Sequence, residues 1–171
     1  ERNTRFWSMP PMLPDESTLE ASQLQGETCL SGADLSQYEV SAFSRLGEES
    51  RHNLNYWGFG DYLGVGAGAH GKVSLHDGAI IRSQRTRAPL DYLKEADSPS
   101  MPPPQHVALA PEEKTVEFAM NALRLKSGVP MHRFAEHTGL PVEQLAAAAT
   151  AAISRGWIED PSSGQFRTTP L

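Results

Sequence analysis

A chain of 171 residues with 39% hydrophobic content, a net charge of −6 and a mean hydropathy of −0.44 suits one sizeable soluble core or two small ones. No run approaches the roughly 18 apolar residues of a membrane span, and no basic segment leads an apolar one as in an export signal. Positive charges gather no further than Arg82, Arg85 and Arg87, which argues against nucleic acid as a partner. The single Cys29 excludes an internal disulfide and suits a reducing cytoplasm, and a first residue of Glu1 leads us to expect a piece of a longer protein.

In chain order, residues 9–14 (Met-Pro-Pro-Met-Leu-Pro) predict a stiff extended approach, because proline withdraws backbone donors. Asp15 is placed to N-cap a helix carrying Leu19 and Leu30 and stopping near Gly32. Residues 38–43 (Tyr-Glu-Val-Ser-Ala-Phe) alternate with period two and predict a strand. Another short strand is expected from Tyr62 to Gly66. Lys72–Leu75 and Ala79–Gln84 flank Asp77-Gly78, a strong hairpin signal, and a helix from about Pro89 to Ala96 closes residues 1–96.

Residues 97–111 hold five prolines, so 97–110 read as a semi-rigid linker. In residues 111–171 the period becomes helical. Val116, Met120, Leu123 and Leu125 fall on roughly one face of a helix beginning near Glu112. A short helix over Met131–His137 ends at Gly139, and Pro141 opens an Ala-rich third helix that ends at Gly156. Trp157-Ile158-Glu159 and Gln165-Phe166-Arg167 should pair across a Ser-Ser-Gly turn. Three helices and a hairpin in that order predict a winged-helix-like domain. Its third helix offers one arginine among small apolar residues, which suits packing and not phosphate contact.

The densest chemistry lies in residues 52–71, where His52-Asn53-Leu-Asn-Tyr56-Trp57 runs into a Gly-rich segment ending Ala69-His70-Gly71. Gly64, Gly66 and Gly68 allow close approach of a ligand or a neighbouring backbone. No helix-opening GxGxxG is formed, so a dinucleotide fingerprint is unsupported. His70 reads as a turn residue. His132 and His137, five apart, miss the one-face spacing of metal ligands and read as surface. Arg82, Arg85 and Arg87 read either as solvated strand charges or as forks for carboxylates.

The HNxxYW block, Asp61-Tyr-Leu-Gly-Val-Gly-Ala-Gly-Ala-His-Gly71, Tyr38-Glu-Val-Ser-Ala-Phe43, Glu1-Arg-Asn-Thr-Arg-Phe with Pro10-Pro11-Met-Leu-Pro14-Asp15, and the stretch from Arg82 to Arg87 together resemble the oxygen-independent coproporphyrinogen III oxidase-like family, and within it the radical-SAM haem-chaperone branch. The resemblance runs through nearly the whole chain, in family order. It implies an α+β protein in which residues 1–96 are the closing portion of a radical-SAM partial (β/α) barrel and 111–171 the appended domain. It implies a 4Fe–4S cluster and S-adenosylmethionine in the parent protein. The cluster motif CxxxCxxC is absent, and Cys29 alone cannot supply three thiolates, so this chain is expected to be catalytically inactive.

The resemblance further makes His52 a candidate axial ligand to haem iron, with Asn53, Tyr56 and Trp57 contacting the tetrapyrrole. Gly66, Ala67 and Gly68 fall at the S-adenosylmethionine end of the barrel, and the three arginines would meet propionates. The expected partners are haem or another tetrapyrrole, a haem-accepting protein, a peripheral membrane protein, and a second copy through open strand edges. A competing reading makes the HNxxYW block structural, its aromatics filling the barrel end, and the chain a docking module with no ligand of its own.

Overall fold

The computed structural model describes residues 4–98, 100 and 104–170. Its first elements are a short helix α1 (Arg5–Ser8) and the longer α2 (Glu16–Ser31). Asp15 caps α2 as the sequence predicts, accepting from the Thr18 amide at 2.8 Å, and the helix stops at Gly32. What differs is burial. α2 buries no residue, and Leu19 and Leu24 stay 54% and 64% exposed, so local propensity and capping define this helix without a packed face.

The alternating stretch 38–43 is not one strand. It folds into a hairpin of β1 (Ser36–Glu39) and β2 (Ala42–Ser44), with Val40 and Ser41 at the turn. Period-two alternation survives a tight turn, so it could not reveal the reversal. The helix α3 (Arg51–Trp57) follows, carrying the HNxxYW block. The strand expected over Tyr62–Gly66 shrinks to one bridge between Tyr62 and Lys72. Beyond it the chain bends, with Gly66 and Gly68 at positive φ.

β3 (His70–Ser74) and β4 (Ile80–Gln84) pair antiparallel about the predicted Asp77-Gly78 turn, where Gly78 supplies a φ of 82°. After α4 (Pro89–Ala96), part of the expected linker forms β5 (Gln105–Ala108), which pairs with β4 from Ile81–Ala108 to Gln84–Gln105. The proline run precedes this strand and leaves its own amides free to pair. Every strand pairing among the described residues is antiparallel, so these residues contain no parallel βαβ unit.

The second half supplies most of the core. α5 (Pro111–Ala122) starts on a proline, and Glu113 reaches back to the Ala110 amide at 2.8 Å. Its buried face is Thr115, Phe118, Asn121 and Ala122. Val116 and Met120, which fall on the apolar face read from spacing, are 57% and 69% exposed: Phe118, the largest apolar side chain on the helix, sets the inward face instead. β6 (Val129–Pro130), α6 (His132–Thr138) and α7 (Val142–Ser154) follow. Gly139 ends α6 at φ 70°. The final strand, β7 (Gln165–Phe166), pairs with β6, while the expected hairpin is carried by a bridge from Ile158 to Thr168.

Phe118, Phe134, Leu145, Val129 and Phe166 meet in one cluster with Phe59 and Ile80 from the first half. Phe59, Phe118 and Phe134 stack edge to face with centroids 5.5 and 5.2 Å apart, a favoured aromatic geometry. Lys72, 1% exposed, lies with its ammonium 4.3 Å from the Phe59 ring centroid and donates to Asp61 at 2.9 Å. Among the described residues no helix is long and apolar enough to cross a membrane.

Two outcomes follow for stability. Phe118→Ala should cost about 3–5 kcal/mol, because it removes a fully buried ring from between two others; a urea-denaturation loss under about 1 kcal/mol would show that this cluster does not organise the fold. Burial alone would raise the Asp61 carboxyl, but donation from Lys72 and from the Ser74 amide and hydroxyl holds it below the ordinary 3.8. A carboxyl depressed in the folded state contributes fully above its unfolded value and loses that contribution as pH falls through the folded one. Asp61→Asn should therefore be less stable than the parent at neutral pH, with the gap narrowing below pH 3.8. Denaturation midpoints that differ equally at neutral and acid pH would contradict this.

Candidate functional site

Ser50 starts α3, its hydroxyl accepting from the Asn53 amide at 3.3 Å, and Gly58 ends it, since a Cβ there would sit 2.8 Å from the Leu54 carbonyl. Both signals are in the sequence, but His, Asn, Tyr and Trp are middling helix formers and obscure a seven-residue helix. Helicity gives the block its geometry. Residues 52, 53, 56 and 57 stand at i, i+1, i+4 and i+5 and share one side of the helix.

These four residues line an open pocket of about 250 Å³. His52 is exposed at its edge, and its ring lies 6.4 Å from that of Tyr56. Tyr56 packs edge-on to Trp57 at 4.5 Å and against Tyr62 at 4.8 Å. Asn53 donates to the Tyr38 hydroxyl at 3.0 Å, which ties α3 to β1.

Two cations contact this aromatic group. The Arg124 guanidinium lies 4.1 Å from the Trp57 ring centroid and donates to Glu39 at 3.1 Å. Arg82 donates through Nη1 to the Tyr62 hydroxyl at 2.5 Å and pairs through Nε and Nη2 with Glu117 of α5. Burial, followed by the Tyr56 hydroxyl, pushes the Tyr62 phenol up to about 12 despite Arg82, so it stays neutral throughout the physiological range. Arg82 is thus committed to a protein carboxylate, which corrects its reading as a free fork. Arg87 is exposed.

Gly66, Ala67 and Gly68 do not line the His52 pocket. The Gly66 amide donates to the Tyr92 hydroxyl of α4 at 3.2 Å, and the Gly68 amide to the Thr86 carbonyl at 2.7 Å. Gly64 answers the close-approach expectation, since a Cβ there would lie 2.2 Å from the His70 carbonyl. A second cavity, of about 650 Å³, is lined by Gln84–Arg87, Glu95, Pro104 and Gln105. The structure therefore separates the two groups of candidate residues onto different elements.

His70 is exposed on β3 and stands opposite Gln84. His132 is exposed as expected, but His137 is half-buried and edge-on to Phe59 at 6.5 Å; burial, then the Arg133 and Lys72 charges, pulls its imidazole below the usual 6.5. Among the described residues no group of three or more His, Cys, Asp or Glu could hold a metal ion. Sequence reasoning missed Tyr38, Glu39 and Arg124 as supports of the pocket. Their contacts join positions up to 85 residues apart, and no local signal reports that.

Residues 109–171 match the HemN C-terminal domain family. The chain is 39% identical over 160 residues to the heme chaperone HemW of Escherichia coli (strain K12), covering 94% of this chain and 41% of that protein. It is 38% identical over 164 residues to the heme chaperone HemW of Haemophilus influenzae, covering 92% and 40%. Over 85 residues it is 42% identical to the mitochondrial radical S-adenosyl methionine domain-containing protein 1 of Mus musculus, covering 48% and 19%. The solved structure of coproporphyrinogen III oxidase (HemN) from Escherichia coli, a radical SAM enzyme, superposes with a TM-score of 0.60 at 12% identity over 92% of this chain and 38% of that one, a likeness of fold. The chain spans about two fifths of the length of the first two relatives. Similar along nine-tenths of its length to haem chaperones and carrying the HemN C-terminal domain, the chain belongs to the family of radical-SAM haem chaperones and oxygen-independent coproporphyrinogen III oxidase-like proteins.

Proposed function

We propose that this chain carries the haem-contacting surface of a radical-SAM haem chaperone, with His52 as axial ligand to the iron and Tyr56 and Trp57 packed against the macrocycle. One observation carries the reading: α3 collects an exposed imidazole, an amide and two large aromatics on one side of a capped helix, at an open pocket. A neutral imidazole is a good iron ligand, and an aromatic neighbour suits a flat apolar ring. The pocket's volume of about 250 Å³ falls below the roughly 300–1,000 Å³ of enclosing ligand sites. That fits contact with one face of a tetrapyrrole and not its enclosure.

The donor set does not fit the iron–sulfur cluster. Such a cluster with an open iron needs three thiolates, and this chain has one cysteine, exposed on α2. We therefore assign no radical step to these residues. In the parent protein the cluster and S-adenosylmethionine belong with the rest of the barrel, which residues 1–96 would close, with Gly66, Ala67 and Gly68 beside the nucleoside. Residues 111–171 would form the winged-helix-like domain beyond a connection at 97–110. The cellular setting on this reading is the cytoplasm, with a haem-accepting protein as downstream partner and a peripheral membrane protein as a further one. Self-association through the open edge of β5 is a further expectation.

The alternative, a docking module without a ligand, is favoured by the amount of exposed apolar surface at Leu63, Val65 and Leu90, which are 73–87% exposed. Hemin titration followed by Soret absorbance separates the two. The parent chain should show a saturable shift, and His52→Ala should weaken binding by about tenfold or more through loss of the axial bond. Matching weak spectra from both would leave the docking module as the better description.

A further inference from the structure

We propose that Arg124 is a positioning residue for the His52 pocket, its guanidinium plane fixing the Trp57 indole while buried Glu39 holds the guanidinium in register. For its ligand arm this rests on the reading of the pocket given above. The geometric part stands by itself.

Trp57 is poorly determined by its own polar group. Its indole N–H is buried and has no hydrogen-bond acceptor among the described residues, so packing against the core and two side-chain contacts orient it. Those contacts are Tyr56, edge-on at 4.5 Å, and the Arg124 guanidinium at 4.1 Å, well inside the range of a cation–π stack. Arg124 in turn has little freedom. Its Nη2 donates to Glu39 and to the Ser41 hydroxyl, each at 3.1 Å, and the Glu39 side chain is 2% exposed. A carboxylate so removed from water requires its cation, and a planar guanidinium can donate to a carboxylate while stacking on a ring; here Nη2 alone makes that donation, and the buried Nε has no partner among the described residues.

The main chain of the same residue acts in parallel. The Val40 amide donates to the Arg124 carbonyl, and the Lys126 amide to the Tyr38 carbonyl, each at 3.0 Å. These bonds hold β1 against the turn after α5, and Tyr38 of β1 accepts from Asn53 of the pocket. Arg124 therefore reaches Trp57 through its side chain, and its carbonyl together with the Lys126 amide holds the strand that carries Tyr38, the partner of Asn53. Arg155 over Trp157, at 4.9 Å, offers a contrast, because that indole is 59% exposed and does not line the pocket.

The test uses the chain carrying Trp7→Phe and Trp157→Phe, which leaves Trp57 as the sole tryptophan of three. Acrylamide quenching of its fluorescence and hemin titration are measured for this parent, for Arg124→Lys, for Glu39→Gln with Arg124→Met, and for Arg155→Met as control. Arg124→Lys keeps a charge beside Glu39 and should fold, but an ammonium does not stack as a plane. Trp57 quenching should then rise about twofold and hemin dissociation about tenfold, with a larger change in the double variant and none in the control.

Unchanged quenching in folded Arg124→Lys overturns the proposal whatever hemin does, and that variant decides the matter if the double variant fails to fold. Increased quenching with unaltered hemin affinity also overturns it, since the pocket would then not depend on the indole's placement. A parent that binds no hemin sinks the haem reading instead. The quenching comparison then decides by itself whether Arg124 orients Trp57.

Discussion

The pocket depends on a carboxylate that cannot reach water. Glu39, 2% exposed at the end of β1, is held by Arg124 from the turn after α5, and this contact joins the two halves of the chain at the level of α3. Removing one member of a buried pair leaves the other uncompensated and typically costs several kcal/mol, whereas replacing both members with apolar groups is often harmless. In this pair Glu39 is buried and the Arg124 side chain 31% exposed, and on our proposal the contact serves to select one arrangement over others. Here that arrangement is the stacking of Arg124 on Trp57.

The same device recurs nearby. Arg82 joins β4 to α5 through Glu117 and steadies Tyr62, and Lys72 joins β3 to Asp61 while capping the Phe59 ring. In each case the cationic head of a long side chain lies over an aromatic ring and also meets a carboxylate, so one group serves both contacts. The aromatic row from Phe59 to Phe134 supplies the apolar contact between the halves, and these pairs set its register. Residues 1–96 and 111–171 consequently share one core across the proline-rich stretch.

Legibility from sequence followed the range of the interactions. Asp15, Gly32, Asp77-Gly78 and Gly139 act within a few residues, and the elements they punctuate stand where expected. Residues 38–43 were misread because a hairpin with a tight turn preserves period two. The inward face of α5 was not legible, because Phe118 outweighs Val116 and Met120, a matter of which neighbours are present. β5 was hidden behind prolines that stop one residue short of it. At the candidate site, the four HNxxYW residues were legible as a group because they lie within six consecutive positions, although the helix that carries them was not. Their supports at 38, 39 and 124 were not, since only the folded chain brings those positions together.

Openness gives the proposed function its physical character. A site that buries both faces of a large planar ligand gains affinity but must reopen to release it, and differences in affinity mostly appear as differences in dissociation rate. On the proposed reading, a surface made of an exposed imidazole and the edge of an aromatic pair would offer one axial bond and one face, and would leave the opposite face and axial position reachable by a second protein. The rigid backing of Trp57 by Arg124 matters more in such a site than in an enclosed one. With few contacts available, each must be placed before the ligand arrives, or the ordering cost falls on a small binding energy. A pre-set platform with an accessible outer face is the arrangement that a carrier handing its cargo to an acceptor requires.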